Sequence, residues 1–441
     1  MYRLALRLSA LIHAEADDYK RRGAAAANAD ERERLEDLEE RLRKWAARSE
    51  DKAKIEAALG LLKKVKAVDS ATVDAAPHLL NVRNGTIDLR TGALRPHDPA
   101  DRITRLIEHD YDPAAQAPRF LRFLREIMGE TDGPAPVSDF LRRWYGYCAT
   151  GETREHAFVV LWGDGGNGKS RLVEAIESVL GPYAGAAAPS LLMAGAQNRH
   201  ETELADLFGR RMVTAAESSE GGELAEAQVK RITGGDRIKA RFMRQDHFEF
   251  QPTHKVELQT NYKPVIRGQD RGLWRRVLLV PFTQTFGTTA EIGAGHALHL
   301  ADPTLAEQLH AERAGILAWV VAGAREWYLH GLNPPDVVRA ATAEYREEQD
   351  RVGQFIAEAC ELDAEAWALL QEWNGRPGLY TVYREWCRDC GYHALGLGKF
   401  KTEVERRVPR ARWEPRTIPG SFMGKRATKA GVWGVRLKDD D

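Results

Sequence analysis

The 441-residue chain predicts an α/β fold built around a phosphate-binding loop, on three observations. The apolar run Phe158-Val159-Val160-Leu161-Trp162 ends in a glycine-rich loop, and the loop opens into a segment with helical spacing. A second apolar run, Met212 to Ala216, stops at Glu217, and a third stops at Thr260-Asn261. A fourth begins directly after the pair Arg275-Arg276, so strands with polar punctuation alternate with helical patterns.

Taken in chain order, residues 1–75 read as a charged helical region: DERERLEDLEERLRKWAARSEDKAKIEAALGLLKKVKAV mixes both charge signs on a leucine/alanine periodicity. Residues 76–145 read as a small α+β domain. Asn84-Gly85 and Arg90-Thr91-Gly92 separate short alternating strands, and PRFLRFLREIMG and VSDFLRRWYGYCATG return to three- and four-residue spacing.

The core spans residues 146–300. Gly163-Asp164-Gly165-Gly166-Asn167-Gly168-Lys169-Ser170 fits G-x-x-x-x-G-K-[ST], in which glycines let backbone N–H groups converge on a polyphosphate. Lys169 is positioned to reach the β- and γ-phosphates of ATP and Ser170 to ligate Mg²⁺. The helix expected from Arg171 to Leu180 aims its positive end at the anion. Glu217, at a strand end, suits a group that holds the Mg²⁺ shell or polarises water. VKRITGGDRIKARFMRQDHFEFQP asks for a hairpin: Ile238, Ala240 and Phe242 alternate with Lys239 and Arg241, Arg244-Gln245-Asp246 turns, and His247 to Phe250 returns. Its cationic face suits a nucleic-acid backbone, with a solvated face covering a core as the plain alternative. Asn261 could sense a γ-phosphate or simply form a turn, and Arg275 or Arg276 could reach the phosphates of a neighbouring subunit.

The net charge of −1 hides two basic regions. Val229 to Arg276 carries +7, and Lys399 to Lys438 carries +9 with Phe400, Trp413, Phe422 and Trp433 interleaved. Both suggest polyanion contact. The longest uncharged apolar stretch, between Arg313 and Arg325, is too short to span a bilayer, and arginines interrupt the N-terminal leucines, so a cytoplasmic location is expected. Four scattered cysteines fit a reducing compartment. Cys387-x-x-Cys390-x-x-His393 is half of a zinc pattern without its other half, and reads as ordinary helix residues.

GDGGNGKS, the strand ending at Glu217, KRITGGDRIKARFM, LQTNYKP and DRGLWRRVLLVPF, in this order, resemble the superfamily 3 helicase domain of phage and plasmid primase-helicases, the type shared with poxvirus and satellite-phage replication proteins. Upstream, HLLNVRNGTIDLRTGALRPHDPADRITR is similar to the family's preceding domain. Downstream, AERAGILAWVVAGAREWYLHGL looks like its helical lid (residues 301–350), and LYTVYREWCRDCGY…GKFKTEVERR looks like a winged-helix-like C-terminal domain (residues 351–441). The resemblance implies an AAA+-like P-loop ATPase, active as a homohexameric ring in a bacterial host cell, that moves 3′-to-5′ on single-stranded DNA and opens forks. Lys169, Ser170, Glu217 and Asn261 take the roles given above, Arg275 or Arg276 becomes a finger in trans, and Lys230, Lys239, Arg241 and Arg244 contact DNA. Relatives often carry a fused primase, so a separate primase or polymerase is an expected partner. Two alternatives stay open: an ATPase that remodels or loads at an origin, and a non-catalytic, nucleotide-switched DNA-binding scaffold.

Overall fold

The computed structural model describes residues 2–65, 72–131, 133–195, 201–217, 219–419 and 426–438, with the side chains of 2–6, 62–65, Glu201, Glu217 and Pro419 outside that description. Phe422 of the basic C-terminal segment therefore lies outside the described residues. The chain divides into two compact units, Met1–Ala75 and Ala76–Asp441.

In the first unit, α1 (Tyr2–Ala24), α2 (Ala29–Ser49) and α3 (Lys52–Val65) follow the predicted periodicity. Asn28 caps α2 by accepting from the Glu31 amide. Arg43 bonds Asp17 at 2.6 Å and Ser9 donates to Glu50 at 2.7 Å, so α1 and α2 run antiparallel over buried Ile12, Ala16, Leu35 and Ala46.

The second unit opens with an antiparallel meander of β1 (Leu79–Val82), β2 (Gly85–Asp88) and β3 (Ala93–Arg95), turned where Asn84-Gly85 and Thr91-Gly92 predict. Then come α4 (Pro118–Met128) and α5 (Pro136–Ala149), each with proline in its first turn, where no amide partner is lost.

The core sheet contains β4 (Phe158–Trp162), β5 (Ala184–Ala187), β6 (Met212–Glu217), β9 (Lys255–Thr260) and β10 (Val277–Pro281) in the order β10-β4-β9-β6-β5. Every pairing is parallel. Parallel strands buried on both faces read as continuous apolar runs, which is why β4 and β10 were legible. One face packs Val159 and Leu161 against Trp144 of α5 and Leu172 of α6 (Lys169–Leu180). The other packs Val160, Val213 and Leu258 with more distant elements. These include α7 (Glu201–Ala205), α8 (Glu226–Ile232), the hairpin β7 (Ile238–Arg241) and β8 (His247–Phe250), and α9 (Arg271–Trp274). The short α10 (Thr289–Gly293) lies between β11 (Phe286–Gly287) and β12 (His299–Leu300). The segment that the sequence reads as a helical lid contains α11 (Leu305–Ala311) and α12 (Arg313–His330). They meet at Glu312, whose carboxylate accepts from the Arg119 and Phe120 amides and so caps α4. The helix α13 (Asp336–Glu348) buries Tyr345 against Trp274.

Two buried ionisable groups lie in β9. Glu257 accepts from Trp144 Nε1 at 2.7 Å, and burial drives its carboxyl up to about 8. Lys255 donates to the Thr150 and Thr253 carbonyls, and burial pulls its ammonium down to about 7.

The C-terminal part has its own core, formed by α14 (Arg351–Ala359), β13 (Cys360–Leu369), α15 (Leu379–Asp389), α16 (Leu397–Arg407), β14 (Arg412–Trp413) and, beyond a hairpin of β15 (Arg416–Pro419) and β16 (Arg426–Lys429), β17 (Gly431–Leu437). The sheet order β13-β17-β14 is antiparallel. Phe400, expected among the interleaved surface aromatics, is instead fully buried and stacks on Tyr383 with ring centroids 4.5 Å apart. Its spacing to Val404 puts both on the inner face of α16. Cys387 is buried in α15 while Cys390 is exposed at that helix's end.

Candidate active site

β4, β6 and β9 are parallel neighbours, so their carboxyl ends bring three sequence-distant segments together. The glycine loop leaves β4, Asn261 follows β9, and Glu217 ends β6 in register with Thr260. The backbone of Glu217 is thus beside the site, while its side chain lies outside the described residues.

The loop needs its glycines at particular positions. Gly166 and Gly168 have φ of 72° and 85°, and a Cβ on Gly168 would stand 2.5 Å from Ile127 Cγ2. The amides of Gly165, Gly166 and Gly168 donate to no protein group among the described residues, a concave set of donors of the kind that holds an anion. The helix begins two residues earlier than expected, at Lys169, with Gly168 as its N-cap.

Lys169 is 6% exposed. Its ammonium donates to the Gly163 carbonyl at 2.5 Å, the Asp164 carbonyl at 3.2 Å, Asn167 Oδ1 at 3.0 Å and Asn261 Oδ1 at 3.3 Å. Burial pulls it down to about 8, against the attraction of the Asp164 carboxylate. Asn167 is buried and orders the loop by donating to the Asp164 carbonyl. Ser170 is exposed, and Arg171 is paired with Glu174 at 2.8 Å.

A cavity of about 530 Å³ adjoins the loop, lined by Gly166, Gly168, Arg171, Phe123 and Ile127 of α4, and the tilted Phe286–His299 ring pair. The sequence reading missed these α4, β11 and β12 residues. Their only signal was the amphipathic spacing of PRFLRFLREIM, which says that a face is buried but not what covers it.

Arg275 and Arg276 separate clearly. Arg276 donates to the Gly272, His156 and Thr233 carbonyls, and burial followed by the Arg275 charge lowers its pKa. Arg275 is exposed, with no side-chain partner among the described residues. Val277 pairs with Phe158 and Pro281 with Trp162, so Arg275 lies at the amino-terminal end of the strands. The glycine loop leaves the other end, about 16 Å away at ~3.3 Å per residue.

The predicted DNA contacts are only partly gathered. Lys239 and Arg241 project from the exposed face of β7, and Arg244 sits at the hairpin tip with φ of 60°. The strand stops at Arg241, so Phe242 belongs to the tip, where it stacks on Phe248 beside the strongly exposed Met243. Lys230 lies on α8 and is paired with Asp270.

Residues 2–129 match the family model described as D5 N terminal like, and residues 161–276 match one described as a family of unknown function, DUF5906. The provisionally named helicase L207/L206 of Acanthamoeba polyphaga mimivirus is 28% identical over 71% of this chain and 33% of its own length. The provisionally named helicase 022R of Frog virus 3 is 29% identical over 52% of this chain and 24% of its own. The provisionally named primase C962R of African swine fever virus (isolate Tick/Malawi/Lil 20-1/1983) is 29% identical over 47% of this chain and 22% of its own. The chain thus spans about a third or less of the length of these relatives. Among solved structures, the apo NrS-1 C-terminal region aligns over 86% of this chain and 91% of that one, at 9% identity and a TM-score of 0.44. Among the described residues no helix is long and apolar enough to cross a membrane. The N-terminal model, the model spanning the glycine loop and the viral helicase and primase relatives agree in making the chain similar to the D5-type primase-helicase family.

Proposed function

We propose that this chain is an ATP-driven DNA helicase motor of a viral or plasmid replication system, an AAA+-like P-loop ATPase that works as a homohexameric ring on single-stranded DNA. The observation that carries the reading is the contact between Lys169 and Asn261, 92 residues apart, in a loop whose glycine amides stand open. A phosphate there would replace the carbonyl partners of Lys169. Asn261 would then hold the lysine or the attacking water, with Ser170 and Glu217 on the Mg²⁺ shell. ATP supplies the phosphoryl group and Mg²⁺ neutralises its developing charge; the 3′-to-5′ polarity follows from the family alone. The exposed cations of β7 and the Arg244 tip are the DNA-contacting set, and Lys230 is more economically read as an ion-pair partner of α9's cap, Asp270.

The test is ATP hydrolysis with and without single-stranded DNA for the wild type and Lys169→Ala, alongside particle mass with nucleotide present. DNA-stimulated, Lys169-dependent hydrolysis in a ring-sized particle is the expected result. DNA binding with background hydrolysis in every assembly state would replace the motor by a nucleotide-switched scaffold.

A further inference from the structure

Asn261 reaches Lys169 from a turn, not from a strand. It follows the last residue of β9, and Thr260 closes the turn by donating its hydroxyl to the Tyr262 carbonyl at 2.6 Å and accepting from the Tyr262 amide at 3.2 Å. Such a turn orients a short side chain but does not fix where the turn itself lies. What fixes it stands two residues on. The Lys263 ammonium pairs with both Glu348 carboxylate oxygens at 2.8 Å and lies 4.4 Å from the centre of the Trp162 ring. Trp162 is the last residue of β4, in register with Thr260 and directly before the glycine loop. One side chain thus joins the two strand ends that carry the loop and Asn261, and fastens both to the end of α13.

The neighbouring contacts reinforce this one. Glu348 is the last residue of α13, where the helix dipole disfavours a carboxylate, and Lys263 is the cation that meets it. Tyr345, fully buried one turn earlier, donates its hydroxyl to the Pro264 carbonyl, and the Gln349 side chain accepts from the Ile266 amide at 3.0 Å. From the other side, the Val265 amide donates to the Gly222 carbonyl at 2.8 Å. The segment after Asn261 is therefore held on both sides. The end of α13 is itself anchored in the C-terminal part. Gln354 of α14 donates to the Glu347 and Glu348 carbonyls, and Asp350, the N-cap of α14, accepts from Arg407 of α16 at 2.8 Å through both oxygens.

Stability alone does not account for the pair. The Lys263 side chain is 15% exposed and that of Glu348 43%, so solvent screens their attraction and the pair adds little to folding. What it supplies is position, and a hydrolytic group displaced by about 1 Å can lose about 100-fold in rate. We propose that Lys263 and Glu348 are positioning residues that hold Asn261 in register with Lys169, so that hydrolysis at the glycine loop depends on a brace standing on the C-terminal part. The inference rests on the nucleotide-site reading above and adds to it a support contributed by α13.

A mutant cycle tests it. Wild type, Lys169→Ala, Asn261→Ala, Lys263→Met, Lys263→Arg, Glu348→Ala and the double variant Lys263→Met/Asn261→Ala are compared for ATP turnover, nucleotide affinity and melting temperature, with turnover read well below every melting point. Lys263→Met and Glu348→Ala should each turn over ATP about 5- to 50-fold more slowly, bind nucleotide within about 3-fold of wild type and melt within about 3 °C of it. Lys263→Arg keeps both the carboxylate and the ring as partners and should recover most of the rate. In the Asn261→Ala background, Lys263→Met should slow turnover no further, because the group it positions is gone. Should Lys263→Met not fold, Glu348→Ala/Asn261→Ala supplies the same cycle. Losses that multiply in the double variant, or turnover and nucleotide affinity that fall together, would make Lys263 a general support of the loop and overturn the inference. Wild-type turnover in both Lys263→Met and Glu348→Ala would overturn it too, while Lys169-dependent hydrolysis would leave the nucleotide site standing. A wild type without Lys169-dependent hydrolysis would sink the nucleotide-site reading and this inference together.

Discussion

Glu257→Gln should stabilise the protein at neutral pH. The carboxyl is fully buried in β9 between β4 and β6, with Trp144 Nε1 donating at 2.7 Å and Tyr145 OH at 3.5 Å. Burial holds it protonated up to about 8, whereas an unfolded chain ionises near 4.5. Between those values the folded state keeps a proton that the unfolded state has released, so stability falls as pH rises through the window. At pH 7 the accumulated cost is about 3 kcal/mol, from roughly 2.5 pH units at ~1.36 kcal/mol each. Glutamine keeps an acceptor for Trp144 but adds an amide hydrogen without an assigned partner, which returns about 1 kcal/mol. The expected net gain is about 2 kcal/mol at pH 7, roughly 4 °C in melting temperature, vanishing near about pH 5 and turning into a loss of about 1 kcal/mol below pH 4.5. Melting curves of both proteins from pH 4.5 to 8 measure it. Curves that run parallel across that range would refute the reasoning, because they would mean that the buried group carries no linked proton.

Three further outcomes are expected. Nucleotide affinity should weaken as pH rises past about 8, where Lys169 loses its proton, and a fluorescent-nucleotide titration that stays flat from pH 7 to 9.5 would contradict this. Asn261→Ala removes one of the Lys169 partners and should slow hydrolysis about 10- to 100-fold while changing nucleotide affinity much less, read from separate binding and turnover assays. Gly168→Ala forces a side chain onto a backbone with φ of 85° and against Ile127, costing about 1–3 kcal/mol and closing the loop. Adding Ile127→Ala should recover some melting temperature without restoring nucleotide binding, because the backbone strain remains.

Much of the candidate site was legible because it is built from local rules. A fully buried strand reads as an unbroken apolar run, a loop that cradles phosphate needs glycine at left-handed positions, and a strand's last residue marks where polar groups can stand. Those rules place Gly163–Ser170, Asn261 and the β7–β8 hairpin on the sequence alone. They could not see β5, whose Ala-Gly-Ala-Ala has no strand propensity and is held by its pairing with β6. Nor could spacing separate Arg275 from Arg276. Adjacent residues differ in fate only through what the fold puts beside them, here the His156 and Thr233 carbonyls that occupy Arg276. Phe400 and Lys263 carry the same lesson, since aromatic and basic residues look alike in a sequence whether they face a core, a counter-ion or open solvent. The sequence by itself determined the chemistry available at each position. Tertiary structure decided which groups were already satisfied, because hydrogen-bond and charge partners come from segments that are distant along the chain and meet only when the sheet is assembled.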